Sequence, residues 1–223
     1  MPESTRWKLH TPTESMYTFS TMTPAALTAG TLRRAGLGAF FRPGDIEPLG
    51  ITEPTLRRLV RDTLVEKVAR GLYRLIAMEP GAHYTLAAVC ARAPQGILCL
   101  HTALQFHGIG TRTSPEIWLA IPHGSRAPAI DVARLRVVRF RGQLLVAGVD
   151  TIKVDGVPAR ITDPARTVVD CFRLTRLVDR ETALEALRAV LQDHKTSPAR
   201  LLRTAETCGA AKPLRTALEV LGA

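Results

Sequence analysis

The side chains best suited to chemistry in this sequence are basic and are concentrated in residues 51–75. The first half of this stretch predicts a helix in which three arginines lie opposite the apolar positions and two threonines lie at the N-terminal end. Guanidinium groups bind phosphates and base edges, and hydroxyl groups also reach base edges, so this face is suited to DNA contact. The candidate residues on it are Thr52, Thr55, Arg57, Arg58 and Arg61.

The elements that position this face form a helix-turn-helix pattern. Thr52 is placed to cap the helix, and Pro54 lies in the first turn, where a missing N–H costs nothing. Residues 42–50 predict a brief preceding helix that stops at Gly50, which provides the tight turn between the two helices. In this motif the N-terminal end of the second helix points into the major groove. The apolar positions at helical spacing are Leu56, Leu59 and Val60.

Two short β-like runs follow the helix and predict a hairpin, the wing of a winged helix-turn-helix. The runs span 64–68 and 72–75. Phosphate contacts are expected from Lys67, from Arg70 at the hairpin tip and from Arg74, because exposed cations beside a duplex supply affinity and salt dependence. The residues expected to read base edges, and therefore to determine sequence choice, are Thr52, Thr55 and Arg57.

A second basic cluster lies later in the chain and is opposed only by Asp131. On a strand, alternation puts Arg134 and Arg136 on one face and Arg139 and Arg141 on the other, so the cluster is not automatically one patch. These arginines are either solvated charges or part of a functional surface. Such a surface would bind DNA phosphates or an acidic patch on a protein partner. The members are Arg126, Arg134, Arg136, Arg139 and Arg141.

A net charge of +10 over 223 residues favours polyanionic partners, nucleic acid first and an anionic membrane second. A solvated, arginine-rich surface is the alternative explanation. The cysteines at 90, 99, 171 and 208 include no C-x-x-C pair, so they predict buried thiols rather than a zinc site or a disulfide framework. No apolar run reaches the length of a membrane span and no signal peptide is recognisable, so we expect a cytoplasmic protein. No metal site and no cofactor are expected.

Enzymatic alternatives lack the residues that their chemistry requires. Gly124-Ser125 could open a nucleotidyltransferase motif, but no Asp-x-Asp pair to hold Mg²⁺ follows, since Asp131 is succeeded by valine and alanine. A nuclease would need clustered carboxylates with a nearby lysine, which Asp150 and Lys153 do not supply. No catalytic residue is therefore assigned, and we expect the protein not to be an enzyme.

The remaining acidic residues and histidines are interpreted as structural. Asp155 belongs to a two-residue hairpin turn, Asp163 caps a helix, and Asp170 is expected to be a charge on a helix surface. His101 and His107 stand six residues apart in one apolar helix, a spacing that does not align two imidazoles on one face. Both are expected to pack in the core.

The fold class expected from these patterns is α+β, with an N-terminal winged helix-turn-helix followed by a mixed α+β C-terminal domain. A flexible arm is expected at 1–22, the winged domain at 23–76 with its first helix starting at Thr23-Pro24, and the second domain at 81–223. The elements predicted for the second domain are helices at 84–92 and 97–107, strands at 116–121, 135–140, 149–154 and 157–161, and helices beginning after Asp163, Asp179 and Ser197 and at Pro213.

Five segments, in this order, resemble the AbiEi-like antitoxins of type IV toxin–antitoxin systems. They are the helix at 52–60, the wing at 70–75 and the segments 98–108, 118–124 and 163–172. The resemblance implies a winged-helix domain that binds and represses the operon promoter, and a C-terminal domain that neutralises a nucleotidyltransferase-like toxin. The implied partners are double-stranded promoter DNA and this toxin, acting directly or through its target, and a homodimer on the DNA is left open.

A different class of function remains compatible with the same residues. Winged-helix domains also serve as protein-interaction modules, and a transcriptional regulator without antitoxin activity would share the basic helix and wing. A salt-titrated binding assay separates these alternatives, because a repressor combines sequence preference with a steep dependence on salt.

Overall fold

The computed structural model describes residues 28–79 and 81–222. The predicted arm at 1–22 and the helix start predicted at Thr23-Pro24 lie outside the described residues. Helix α1 (Ala29–Arg34) begins after Thr28, whose Oγ1 accepts a hydrogen bond from the backbone N–H of Thr31 at 3.1 Å. This hydroxyl satisfies one of the N–H groups that a helix start leaves without a partner.

The N-terminal part is a winged helix, as predicted. Its further elements are β1 (Phe40–Phe41), α2 (Pro43–Ile46), a 3-10 turn (Glu47–Leu49), α3 (Glu53–Arg61), β2 (Val65–Ala69) and β3 (Leu72–Leu75). The strands form an antiparallel sheet in the order β1-β3-β2. Leu32, Ile46, Leu56 and Leu59 meet in its small core. Gly50 closes the turn before α3 with φ of 75°, a left-handed conformation that suits glycine, which confirms the predicted stop.

The C-terminal part places helices around a five-stranded mixed sheet. Its elements are α4 (Tyr84–Arg92), β4 (Ile97–Leu98), α5 (Leu100–His107), β5 (Ile117–Pro122), β6 (Leu135–Phe140), a 3-10 turn (Gly142–Leu145), β7 (Val149–Val154), β8 (Val157–Thr162), α6 (Pro164–Arg173), α7 (Arg180–Gln192), α8 (Pro198–Cys208) and α9 (Ala211–Leu221). The strand order is β6-β5-β4-β8-β7, in which β5 and β6 are parallel, as are β4 and β8. The expected α+β class is confirmed.

The two faces of this sheet are covered by different parts of the chain. Trp118, Val138 and Phe140 face helices α5 to α9 and share a large apolar core with them. Residues on the opposite face, such as Leu119 and Ile161, pack with α4 and with residues of the winged helix. The winged helix is therefore joined to the rest of the protein by a buried apolar contact.

This junction is built from close contacts between the two parts. The rings of Phe40 and Tyr84 lie 5.0 Å apart between centroids. The backbone N–H of His83 donates to Asp155 Oδ2 at 3.0 Å. Gly38 approaches the same hairpin turn so closely that a Cβ there would lie 2.9 Å from the Asp155 carbonyl oxygen. A side chain at Gly38 would push the two parts away from each other.

One predicted helix is wrong at its start, whereas the predicted hairpin is confirmed. Ile97 and Leu98, expected to open a helix over 97–107, form β4 at the centre of the sheet, where both are fully buried between β5 and β8. Short apolar runs have no period that separates a buried strand from a buried helix. Asp155 and Gly156 have φ of 46° and 82°, as a two-residue hairpin turn with two left-handed positions requires.

Candidate nucleic-acid interface

The solvent-facing side of α3 is basic. Leu56 and Leu59 are almost fully buried on its inner side. Arg57, Arg58 and Arg61 are exposed and lie within about 100° of one another on a helix with 3.6 residues per turn, opposite the buried leucines. The side chains of Arg57 and Arg61 are 78% and 75% exposed, so both can reach a duplex laid against this face.

The N-terminal end of α3 carries the two threonines predicted to face base edges. Thr52 is the N-cap residue in an extended conformation, but its side chain accepts no capping hydrogen bond. Its Oγ1 lies 3.2 Å from Thr55 Oγ1 instead. Thr52 is exposed and Thr55 is half-buried. A pair of hydroxyls at the entry of α3 can both donate to and accept from a base edge.

The wing follows α3 and adds two exposed cations. Lys67 lies on β2, and Arg70 lies in the turn to β3 beside Gly71, whose φ is 71°. Both side chains project from a hairpin that packs directly against α3. The strand register shifts between Lys67 and Ala69, and such a bulge increases the local twist of a hairpin.

Arg74, also predicted to contact phosphate, is placed differently from the other wing cations. Its guanidinium donates to Glu66 Oε2 at 2.9 and 3.1 Å and to the Met78 carbonyl oxygen at 3.1 Å. It also lies over the ring of Tyr84 at 5.8 Å, and its side chain is only 13% exposed. These contacts fix the wing against α4, so Arg74 stabilises the domain junction.

Acidic residues partly neutralise the basic face. Glu53 pairs with Arg57 at 2.6 Å, and Asp62 lies 3.7 Å from Arg61. Exposed pairs of this kind contribute about 0–1 kcal/mol, so DNA phosphates can replace them at little cost. Within the described part of the chain, Arg58 has no ion-pair partner.

The second basic cluster is divided between separate environments. Arg136 pairs with Glu116 at 3.0 Å and lies over the Trp118 ring at 5.5 Å. Arg139 donates to the carbonyl oxygen of Ser125 at 3.5 Å on the other side of β6. Arg126 is exposed in the loop after β5, Arg134 is exposed directly before β6, and Arg141, directly after β6, contacts His123. The structure therefore does not bring the five arginines together in one patch.

Comparison with known protein families identifies both halves of the chain. A family model described as a transcriptional regulator, AbiEi antitoxin, matches residues 28–76. A second family model, described as the AbiEi antitoxin C-terminal domain, matches residues 96–221, more than half of the chain. The chain belongs to the AbiEi antitoxin family. It is therefore an antitoxin with a transcriptional-regulator domain, and the resemblance seen in the five sequence segments is confirmed.

Among solved structures, this AbiEi antitoxin resembles the RV2827C protein from Mycobacterium tuberculosis. The two share 16% sequence identity with a TM-score of 0.51, over 89% of this chain and 81% of the other. At this identity the likeness concerns the fold alone. No curated protein matches the chain.

The C-terminal domain of this AbiEi antitoxin contains a buried charge network that corrects one prediction. Asp170, expected on a helix surface, is fully buried together with Arg166, and Arg166 Nε donates to Asp170 Oδ2 at 3.0 Å. Arg173 Nε donates to Asp170 Oδ1 at 2.9 Å. Arg166 also donates to the carbonyl oxygens of Leu144 and Ala147, which fixes the segment before β7 against α6.

Only part of the signal for this network was present in the sequence. Arginine and aspartate four residues apart lie on one face of a helix, where they can pair. Thr167 and Arg173 share that polar face and the apolar residues lie opposite it, so the pattern is that of a half-exposed helix and does not indicate that the charges are buried. Asp163, by contrast, caps α6 as predicted, accepting from Arg166 N–H at 2.7 Å. It also accepts from Arg200 Nη2 at 2.8 Å, which raises the pKa of Arg200.

The cysteines are buried, as predicted, and chemically quiet. Burial raises the pKa of the Cys90 thiol to about 12 and also raises the pKa of Cys99 and Cys171, so little reactive thiolate forms near neutral pH. Across residues 28–79 and 81–222, no three His, Cys, Asp or Glu residues are grouped so as to hold a metal ion. In the same ranges, no helix combines the length and apolarity needed to cross a membrane.

The histidines of α5 are half-buried and have structural contacts. His107 Nε2 lies 2.7 Å from the Thr162 carbonyl oxygen. The ring of His101 packs 5.1 Å from that of Trp118, and its Nδ1 is buried without a hydrogen-bond partner among the described residues. Burial lowers the pKa of His101 below its ordinary value of 6.5.

We expect the stability of this antitoxin to fall as the pH drops below about 6.5, where free histidine titrates. The unfolded chain then binds a proton that folded His101 resists, so protons favour unfolding, whereas above this pH the loss is absent. His101→Phe keeps a ring against Trp118 and should reduce this decline. Urea unfolding midpoints at several pH values measure it.

The exposed His194, at a left-handed position that asparagine tolerates, provides the control. His194→Asn should leave the dependence of stability on pH unchanged, and an equal effect of both substitutions would contradict the role of His101.

Two carboxylates affect stability at lower pH than His101 does. Hydrogen bonds from Thr182 and Thr111 lower the pKa values of Asp179 and Glu185 below 3.8 and 4.5 respectively, so their stabilisation is lost only as the pH falls through this acidic range.

Proposed function

We propose that this AbiEi antitoxin binds the promoter of its own operon through the winged helix and represses transcription. The observation that carries the proposal is the basic outer face of α3, with an exposed basic wing directly beside it. The domain that carries this face matches the transcriptional-regulator model of the family. Repression at a promoter also implies that the protein acts in the cytoplasm.

In the proposed complex, α3 enters the major groove with its N-terminal end first. Thr52, Thr55 and Arg57 read base edges. Lys67 and Arg70 of the wing contact phosphates on the flanking backbone. Arg58 and Arg61 contact the strands that border the groove. Arg74 contributes indirectly, because its contacts with Glu66 and Met78 hold the wing in position.

The same proposal assigns toxin neutralisation to the C-terminal domain and places the protein in a type IV system with a nucleotidyltransferase-like toxin. The match of residues 96–221 to the antitoxin domain supports it. The domain limits we propose are 23–76 for the winged helix and 81–223 for the antitoxin domain, with 1–22 as an arm. All five members of the second basic cluster are exposed and are candidates for a surface that meets DNA phosphates or the toxin: Arg126, Arg134, Arg136, Arg139 and Arg141.

A salt-titrated binding assay with the region upstream of the operon tests DNA recognition. Repression requires preference for this duplex over a scrambled duplex at about 150 mM salt, where exposed charges are screened beyond about 8 Å. We also expect a steep fall of affinity with salt, because bound phosphates release counterions. Equal affinity for the two duplexes would reject promoter recognition.

Coexpression with the neighbouring reading frame tests the antitoxin part separately. The wild-type chain should restore growth to cells that produce the toxin. A variant that no longer binds the promoter should still restore growth when it is expressed from an unrelated promoter. Failure of the wild-type chain to protect would reject the proposed toxin partner.

A further inference from the structure

An open cleft of about 530 Å³ lies between the wing and the C-terminal domain. Arg70 enters it from the wing turn, Arg92 from the last turn of α4, and Arg126 from the loop after β5. The rest of the lining is mainly apolar or small, with Pro94 and Ile121 among its residues. Cavities that bind small molecules have volumes of about 300–1,000 Å³, so the cleft is large enough for one.

The charge of the cleft is uncompensated. No carboxylate is among the residues that line it. Within the described part of the chain, Arg70, Arg92 and Arg126 have no ion-pair partner, and the Nε of Arg92 is buried without a hydrogen-bond acceptor. The three guanidinium groups therefore lack an acidic partner, and an anion in the cleft would supply one.

Two further arginines hold the walls of the cleft. Arg160 donates to the carbonyl oxygen of Gln95 at 3.4 Å, and Arg139 donates to that of Ser125 at 3.5 Å. Both acceptor residues line the cleft. Its shape is therefore supported from behind, while the three lining arginines keep their donors free for a ligand.

The shape of the cleft favours a small anion over a DNA backbone. A duplex is far wider than the cleft and can meet only its rim, where Arg70 and Arg126 are exposed. Arg92 is half-buried, so its guanidinium is better reached by a group small enough to enter the recess. Arginine binds phosphate with paired, parallel hydrogen bonds, so three arginines around one recess suit a ligand with more than one phosphate group.

We propose that this cleft binds a small phosphorylated molecule with at least two phosphate groups. Because Arg70 is shared with the DNA-binding wing, occupancy of the cleft weakens promoter binding. The effect on DNA rests on the proposed function, whereas binding of the ligand does not. The antitoxin thereby becomes a repressor that responds to a phosphorylated metabolite.

Calorimetric titration of the full chain with inorganic pyrophosphate, ADP and adenosine tests the site. Pyrophosphate and ADP should bind at about 150 mM salt, and adenosine should not. Equal affinity for the first two identifies the phosphates alone as the recognised group, and tighter binding of ADP assigns its nucleoside to the apolar wall. Absence of pyrophosphate and ADP binding would overturn the proposal.

Arg92→Gln and Arg126→Gln should each weaken pyrophosphate binding by roughly 10-fold or more, as expected for the loss of a charged hydrogen-bond donor. Arg203→Gln, which removes an exposed arginine of α8, is the matched control and should change nothing. If Arg203→Gln weakened pyrophosphate binding equally, the effect would come from net charge alone and the proposed site would be rejected. Arg126 is exposed, so its substitution keeps the test valid even if Arg92→Gln disturbs folding.

Promoter binding is then measured with and without saturating pyrophosphate at constant ionic strength. Lower DNA affinity in the wild-type chain, and no change in Arg126→Gln, would support the shared use of Arg70. Unchanged wild-type affinity would overturn the competition while leaving ligand binding intact. If both cleft variants weaken DNA binding and no small phosphate binds, the cleft belongs to the DNA interface and the proposal fails.

Discussion

Replacing Arg57 and Arg58 together by alanine should abolish specific promoter binding and leave the fold intact. Loss of the base-edge contact of Arg57 costs about 1–3 kcal/mol, which weakens binding roughly 5-fold to 150-fold, and loss of the backbone contact of Arg58 weakens it further. Loss of a contact to phosphate also lowers the slope of log affinity against log salt concentration by about one. Fluorescence anisotropy with the promoter duplex at several salt concentrations measures both quantities.

The fold should tolerate this change because both side chains are exposed. The lost pair between Arg57 and Glu53 is a surface pair on one helix, worth about 0.3–0.5 kcal/mol, and alanine favours the helix. The matched control is Arg188→Ala with Arg203→Ala, which removes the same charge from exposed positions on α7 and α8. Undiminished promoter affinity in the α3 variant, or an equal loss in the control, would contradict recognition by α3.

The local features that the sequence predicted well are those determined by neighbouring residues. The helix at 53–61 follows from a proline in the first turn and leucines at helical spacing, although Thr52 at the N-cap position makes no capping hydrogen bond. The hairpin at Asp155-Gly156 follows from a dipeptide that accepts two left-handed positions. Caps, turns and periodic apolar faces act over a few residues, so the sequence contains the information that specifies them.

The features that the sequence left uncertain depend on residues far apart in the chain. Arg74 has the spacing of an exposed wing cation, but Tyr84, which covers it, comes from α4 after the linker. Arg92 and Arg126 line the same cleft because the fold brings the C-terminal end of α4 close to the loop after β5. No local pattern reveals such contacts, so the sequence identifies Arg70 and Arg126 as candidate residues but gives no sign of Arg92.

Asp170→Ala should strongly destabilise the C-terminal domain. It removes the carboxylate that pairs with both Arg166 and Arg173 and leaves two cations against Phe140, each 5.1 Å from the centroid of its ring. Breaking a buried ion pair from one side lowers stability by about 3–5 kcal/mol, because the remaining charge has lost its partner. For a chain of this length, the melting temperature should fall by roughly 6–20 °C.

The outcome depends on which partner is removed. Arg166→Met leaves Asp170 paired with Arg173 at 2.9 Å, so we expect a smaller loss than for Asp170→Ala, although the carbonyl oxygens of Leu144 and Ala147 lose their donor. Combining the two changes leaves one cation where Asp170→Ala leaves two, and the double variant should therefore be more stable than the sum of the single effects indicates.

Asp193→Ala tests whether burial is the cause. Asp193 is also an aspartate in an ion pair, with Lys195 at 2.9 Å, but its side chain is 51% exposed, so its loss should change the unfolding free energy by less than about 1 kcal/mol. Urea unfolding followed by circular dichroism measures all four variants. If Asp170→Ala were as mild as Asp193→Ala, the network around α6 would not stabilise the domain. A severe loss of stability in Asp170→Ala would show that the position of α6 depends on this buried carboxylate and that apolar packing alone does not maintain it.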